Sequence, residues 1–353
     1  MLYSRFYRDI FLNICFSACY KLSYVIEKAN WSIGQDGFYI TSSLCKNKKI
    51  SARTTSSNRF LRSKIVHFGY EGLAYQNLKE RDNRNQKWVL TWFHVSPEST
   101  QNATLVDHQN FFDIIHTSST KTRDTLIAMG IRENKICVIP LGVDNNLFAD
   151  IDEKERIRHE MKIPSSIVLI GSFQKDGLGW GAGEQPKHIK GPDILVNVIK
   201  KLSLRYPVHV LLTGPARGYI INKLRDGGVP FTHIGYLWNY RDIAMYYRAL
   251  DLYLITSRVE GGPKSLLEAW AAGVPVVSTK VGMIPDIGID GENMLMADVE
   301  DVESLYRASC RLIDDCHIRN RLVQQGLNLV KEYSWERIAS RYYKQIYSTL
   351  LHD

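Results

Sequence analysis

The stretch EGGPKSLLEAWAAGVPVVS, Glu260 to Ser278, decides how this chain is read. Two glutamates eight residues apart bracket a Gly-Gly-Pro turn, and the second, Glu268, interrupts an apolar run from Leu266 to Ala272. Gly262 and Pro263 fit a helix N-cap and first helical position, Gly273 the residue beyond the helix end, and Val274 to Val277 a buried strand. Glu260 then stands beside a helix start, whose amides and positive dipole end suit a phosphate. Glu268 lies about one and a half turns in, where burial is costly unless hydroxyls or a cation satisfy it. Two readings stay open on this stretch alone: a holder for a phosphate joined to a polyol, or an ordinary amphipathic helix whose acid faces water or a lysine.

Outward from this motif the chain alternates apolar strands with helices. Upstream lie strands at Ile167 to Phe173, Val208 to Gly214, Phe231 to Ile234 and Leu252 to Ile255, separated by helices at Pro192 to Leu204, Ile220 to Gly227 and Tyr240 to Ala249. The first part repeats the rhythm, with strands at Leu22 to Ile26, Lys49 to Thr54, Ile65 to Phe68, Trp88 to Phe93, Asp113 to Thr117 and Lys135 to Ile139. Helices are expected at Phe38 to Cys45, around Tyr75, and from Thr120 to Met129. This is the pattern of parallel, doubly wound sheets, whose ligands bind at the carboxyl ends of strands. The loops Asn30 to Gly37 and His94 to Glu98 are site candidates by that position. So is the loop after Gly171, where four glycines fall within seven residues around Trp180. It reads as a lid, a phosphate-side loop or a plain surface excursion.

A length of 353 residues, 44% hydrophobic and 23% charged, allows two cores. The longest apolar run, Ile10 to Ile26, is interrupted by Asn13 and Lys21, so neither a spanning helix nor a secretory signal is expected and the chain reads as cytoplasmic. Its six cysteines lack zinc or redox spacing and read as buried thiols. Of the net charge of +8, residues 1–150 carry most, with 19 Lys+Arg against 13 Asp+Glu. The densest basic stretch, Lys46 to Lys64, reads as a solvated face or as one turned to an anionic membrane surface. Nothing interleaves aromatic and basic residues as nucleic-acid binding would require. A helix over residues 3–20 with an aromatic side (Tyr3, Phe6, Tyr7, Ile10, Phe11, Ile14) is expected to dock that side on the domain.

In combination SRVEGGPKSLLEAWAAGVPVVSTKVG, DIGIDGENMLM, IPLGVD with Phe148, IKG at Ile189 to Gly191 and TWFH at Thr91 to His94 resemble the retaining family 4 glycosyltransferases. The resemblance implies an α/β GT-B architecture, two Rossmann-like doubly wound parallel-sheet domains facing a cleft. Residues 1–149 would form the acceptor domain, with a terminal helix over 338–353 packing back on it. Residues 150–337 would form the nucleotide-sugar donor domain.

Carried over residue by residue, the resemblance makes Glu260 the acid on the donor sugar hydroxyls, with Gly261, Gly262, Pro263, Lys264 and Ser265 as the donor-binding turn beside it. Glu268 would hold the ribose, Lys190 the diphosphate, and His94 would lie close to the reacting sugar. The nucleobase would sit against Gly235, Tyr236 and Leu237. The implied activity is hexose transfer from a UDP- or GDP-linked sugar to a glycan or lipid-linked glycan in cell-surface polysaccharide synthesis, with no cofactor and no metal. Where many relatives carry an arginine this chain has Ser172, for which Lys175 or Lys187 would have to substitute. The usual glycine loop is replaced by NWSIGQDG, leaving Asn30, Trp31, Ser32 and Gly34 as acceptor-side candidates. Two rivals remain: a nucleotide-sugar isomerase of the same shape and a non-catalytic nucleotide-sugar-binding subunit, the latter favoured by Ser172.

Overall fold

Runs of β-branched and aromatic residues pair in parallel into two six-stranded sheets. The structure, a computed structural model, describes residues 2–27, 32–78, 85–95, 99–149 and 153–352, leaving aside the side chains of 2–6 and 32–33. The chain divides into two units: the first holds Met1–Gly142 and Tyr333–Asp353, the second Val143–Glu332. These divisions fall earlier than the 149/150 and 337/338 boundaries expected from sequence.

In the first unit the strands are β1 Leu22–Val25, β2 Ala52–Thr55, β3 Ile65–Phe68, β4 Lys87–Thr91, β5 Ile114–Thr117 and β6 Ile136–Val138. Their order is β2-β1-β3-β4-β5-β6. On one face Phe68, Trp88, Leu90, Trp92, Phe112 and Ile115 build the core. Part of the other side is polar. The His67 ring lies 2.7 Å from the Tyr347 hydroxyl and 2.8 Å from Thr91 Oγ1, and Thr91 continues to His116 at 3.0 Å. His116 is also held by the Ile139 carbonyl and the Tyr342 hydroxyl. Burial pushes His116 down to about 4, and burial followed by the neighbouring His116 pushes His67 well below its ordinary value.

The residues that close this unit arrive from the far end of the chain. Trp335 stacks on Tyr39 with ring centroids 5.5 Å apart, and a Cβ at Gly142 would stand 2.5 Å from its ring. The terminal helix expected over 338–353 belongs to a longer run, an α-helix at Trp335–Tyr342, a π-helical turn at Tyr343–Tyr347, and a last α-turn at Ser348–His352. The Ser334 hydroxyl caps its start.

Four expectations, three of them confined to this unit, need correction. The loop drawn over Asn30 to Gly37 is largely helix: α2 spans Ser32–Lys46, so Ser32 and Gly34 are helical, while Asn30 and Trp31 lie outside the described residues. A helix at Thr100–Asp107 was not expected; its polar, weakly amphipathic sequence carries little periodic signal. Only Cys310 is a buried thiol, and Cys15, Cys19, Cys45 and Cys316 are exposed. The N-terminal helix, α1 Leu2–Phe16, presents outward the side expected to dock. Tyr7, Phe11, Ile14 and Phe16 are exposed, whereas Asp9 and Asn13 are buried. Of the other expected aromatic positions, Tyr3 and Phe6 have side chains outside the described ones. Among the described residues no helix is long and apolar enough to cross a membrane.

The second unit contains β7 Val168–Ser172, β8 Val208–Leu212, β9 Phe231–His233, β10 Leu252–Ile255, β11 Val276–Thr279 and β12 Leu295–Ala297, in the order β12-β11-β10-β7-β8-β9. Helix Pro192–Ser203 lays Ile194, Leu195, Val198, Ile199 and Leu202 onto Val210, Leu212 and Leu254. That helix begins at Gly191, which has φ +60 and stands so close to the Thr256 carbonyl that an added Cβ would meet its oxygen at 1.9 Å. Only glycine satisfies both conditions.

Two outcomes follow. The unfolded chain protonates its histidines near pH 6.5, whereas folded His116 resists protonation down to about 4. The unfolded state therefore binds more protons below about pH 6.5, and stability falls as pH drops. Melting temperature should decrease from about pH 7 to about pH 5, and His116→Gln should lose part of that slope; a flat wild-type profile rejects the account. Separately, Gly191→Ala should cost roughly 1–3 kcal/mol or more in urea unfolding. Gly179→Ala, at φ +70 with nothing within 4 Å, should cost less, and equal losses would remove the close approach as a constraint.

Candidate functional site

Doubly wound sheets bind ligands where the strand order reverses. In the second unit that point lies between β7 and β10, and the segments leaving their carboxyl ends carry Lys190 and Glu260. Lys190 Nζ lies 2.7 Å from Glu260 Oε1, with side chains 13% and 7% exposed. The Ser257 hydroxyl stands within hydrogen-bond distance of both Glu260 Oε1 (2.8 Å) and Gln174 Oε1 (3.0 Å), while the Gln174 amide nitrogen donates to the Lys190 carbonyl.

The backbone holds this pair in place. The amides of Arg258 and Val259 both donate to the Ile189 carbonyl. Arg258 grips Asp193 through two bonds of 2.8 and 2.7 Å, also reaching the His188 carbonyl and Glu300. Asp193 is held below the usual carboxylate range, first by that Arg258 hydrogen bond. On the other side Gly282, at φ +52, sits where a Cβ would meet the Gly261 carbonyl oxygen at 2.4 Å. The turn Glu260 to Gly262 is thus clamped between Gly282 and the 188–191 segment.

The helix after this turn runs Lys264–Ala271, one residue later than expected, with Pro263 as its N-cap and no side chain capping it. The strand beyond is Val276–Thr279 rather than Val274–Val277, and Gly273 adopts φ +67 as a residue past a helix end should. Glu268 is 6% exposed. Both its oxygens accept from phenols, Oε2 from Tyr247 at 2.8 Å and Oε1 from Tyr240. Burial, then the adjacent carboxylate, keep the Tyr247 phenol well above its ordinary value, so it remains a donor. Sequence reasoning required hydroxyls for a buried Glu268 without finding these two tyrosines. The Lys264 ammonium lies over the Tyr240 ring at 5.9 Å.

The glycine-rich loop is a docked hairpin. Gly177 and Pro186 form an antiparallel bridge, and the Gly218 and Tyr219 amides donate to the Ala182 and Gly183 carbonyls. Beneath it Asp176 and Arg217 are wholly buried. Arg217 Nε donates to Asp176 at 3.0 Å and Nη1 to the carbonyls of Ser172 and Thr213, whereas the Nη2–Oδ2 approach of 3.0 Å lacks hydrogen-bond geometry. Burial raises Asp176 despite Arg217. Ser172 is buried and its hydroxyl makes no hydrogen bond among the described residues. Lys175 lies 4.7 Å above the exposed Trp180 ring, with burial lowering its ammonium from the ordinary value. Gly235, at φ +72, accepts from the Gly214 amide, and Tyr236 and Leu237 beside it are half-exposed.

The first unit has its own reversal point, between β1 and β3. Glu27 follows β1, and Tyr70 and Glu71 follow β3. Glu27 is raised by burial against the hydrogen bond from Tyr70. Glu71 is raised by burial against the nearby His94 charge, and the Phe93 amide points to its carboxylate at 3.5 Å. His94 was expected from sequence; the two glutamates and the tyrosine were not, since each is an unremarkable residue until the sheet order puts them together.

Residues 180–315 match the family described as Glycosyl transferases group 1. The chain is 25% identical over 237 residues to an MMP alpha-(1->4)-mannosyltransferase of Mycolicibacterium hassiacum, covering 65% of this chain and 52% of that one. It is 24% identical over 253 residues to a D-inositol 3-phosphate glycosyltransferase of Corynebacterium aurimucosum, covering 67% and 56%. The match therefore spans about half the length of these curated relatives. A crystal structure of an Anabaena protein in complex with UDP and glucose superposes with TM-score 0.76 at 16% identity, covering 93% of this chain and 100% of that one. The fold is that of the GT-B glycosyltransferases, and residues 180–315 carry the likeness to the glycosyl transferases group 1 family.

Proposed function

We propose that the protein transfers a hexose from a UDP- or GDP-linked sugar to a glycan or lipid-linked glycan acceptor, with retention of configuration. The observation that carries this reading is the Lys190–Glu260 pair at the reversal point of the second sheet, beside the start of helix Lys264–Ala271. The two curated relatives are named as sugar transferases, and the Anabaena protein was solved with UDP and glucose; both support the same class of chemistry.

The pair suggests how donor binding proceeds. An incoming diphosphate competes with Glu260 for the Lys190 ammonium, and the released carboxylate accepts from sugar hydroxyls. The bond between the anomeric carbon and the diphosphate oxygen breaks with its electron pair leaving on the phosphate. Lys190 and the amides around Gly262 to Ser265 stabilise that charge most as it forms. The acceptor oxygen bonds to the anomeric carbon from the same face, and its proton passes to the departing phosphate oxygen. No resident metal and no dedicated base is invoked. Glu268 takes the ribose hydroxyls, exchanging its bond to Tyr240, and His94 contacts the reacting sugar.

A panel of UDP- and GDP-sugars titrated by calorimetry tests the donor half. Glu268→Ala should weaken the best donor by roughly tenfold or more, with Tyr247→Phe and thermal melts reporting any loss of packing; undiminished affinity sinks the ribose assignment. Glu260→Ala should keep donor affinity within a few-fold while transfer falls on the order of a hundredfold, and unchanged turnover removes it from the site. Donor binding with no transfer to any acceptor extract would point to the non-catalytic reading, which Ser172 favours, and an epimerised donor formed without acceptor would point to an isomerase.

A further inference from the structure

The N-terminal helix is inside out. Its buried stripe is polar, at the i, i+4, i+8 spacing of one helical face. Asp9 accepts from the Ser56 amide at 2.8 Å and hydroxyl at 2.7 Å. Asn13 donates to the carbonyls of Ser57 and Arg59 at 2.9 and 3.0 Å. Just past the helix, the Ser17 hydroxyl donates to the Phe60 carbonyl and accepts from the Arg62 amide. These bonds fix the rotation of α1 about its axis, so its apolar residues cannot turn inward without orphaning buried polar groups. Phe11 is left 62% exposed, Ile14 49% and Phe16 50%, and Phe60 on the loop that binds the helix is 62% exposed. A large apolar patch held outward by a hydrogen-bonded spine needs a partner.

Charge identifies that partner. Residues 1–64 contain eleven Lys and Arg against three Asp and Glu, a net of +8, which equals the net charge of the entire chain. Asp9 and Asp36 are buried and Glu27 is half-buried, so residues 7–64 expose no fully accessible acid among those described. Arg8, Arg59 and Arg62 are exposed around the aromatic patch. Beyond the end of α1, where Ser51 Oγ donates to the Cys19 carbonyl, a cavity of about 680 Å³ is lined by Lys21, Lys48, Lys49, Lys64, Tyr343 and His352, with no acid among the described residues of its wall. Lys21 and Lys64 directly precede β1 and β3, so this cavity opens at the amino ends of the strands, the edge opposite Glu27, Tyr70 and Glu71.

We propose that α1 and this lysine cavity form one docking surface for an acidic phospholipid bilayer. The aromatic side chains enter the headgroup and acyl boundary, the arginines meet lipid phosphates, and the cavity receives an anionic headgroup. A second copy of the chain is the competing occupant of the patch. It is disfavoured because a two-fold contact through α1 would bring two such basic regions together.

The inference does not depend on sugar transfer, and its test uses no sugar. The full chain is floated with vesicles of phosphatidylcholine alone or containing about 30 mol% phosphatidylglycerol. It should bind the acidic vesicles, and about 0.5 M salt should release most of it. Phe11→Ser with Ile14→Ser should lower the partition coefficient roughly tenfold or more. Lys48→Glu with Lys64→Glu should lower it by a similar factor on acidic vesicles only. Melting curves of both double variants should match the parent, because these side chains are exposed. No vesicle binding, equal binding to both compositions, or a dimer in sedimentation that Phe11→Ser with Ile14→Ser dissolves while vesicles stay empty, would each overturn the proposal.

Discussion

Two carboxylates withdrawn from water impose most of what is specific about the second unit. Glu260 is compensated by an ammonium and a hydroxyl, Glu268 by two phenols. A buried carboxylate without such partners would be costly, and each partner arrives from a different segment: Lys190 after β7, Ser257 after β10, Tyr240 and Tyr247 from the residues before β10. The glycines at 191 and 282 let those segments approach closely enough to serve the acids. The irregular stretch between Ser172 and Pro192 serves Glu260 through Lys190 and Gln174 and is anchored separately by the buried Asp176–Arg217 pair beneath its hairpin.

Both partners of Glu260 and Glu268 are exchangeable in kind. A hydroxyl and an ammonium are also what a ribose and its diphosphate counter-charge would present or require. Under the proposed function each acid trades one partner for another of the same kind, Glu260 releasing Lys190 and Glu268 releasing Tyr240. The first unit differs. Glu27 and Glu71 are raised mainly by burial, opposed at Glu27 by the Tyr70 hydrogen bond and at Glu71 by the nearby His94 charge.

The architecture was legible because strand runs are short, apolar and punctuated by glycine. Ile65 to Phe68 and Leu252 to Ile255 agree with the sequence reading to the residue. The motif around Glu260 was legible because Gly-Gly-Pro and an acid in an apolar run are local signals. The tyrosines on Glu268 and the Asp176–Arg217 pair were not, since they join residues tens of positions apart with no shared periodicity. Asn30 to Gly37 reads as a loop following a strand, yet burial of Gly34 and the close approach of Tyr24 and Ile26 to Gly37 favour helix from Ser32 onward. For α1 the error was choosing between two stripes. Apolar side chains usually win the interior, but here Asp9 and Asn13 found carbonyls and amides enough to take it, with Ser17 continuing the stripe.

The return of residues 333–353 to the first unit sets an order of events during synthesis. The His67 ring meets Tyr347 across 280 positions of sequence, and Trp335 closes over Gly142 and Tyr39. The second unit, a continuous stretch from Val143 to Glu332, holds all its strands before that segment is made and can complete its core first. The first unit, although translated earlier, must wait with its polar histidine layer uncovered until Tyr342 and Tyr347 emerge. In this chain the unit begun first is finished by a segment made only after the whole of the second unit.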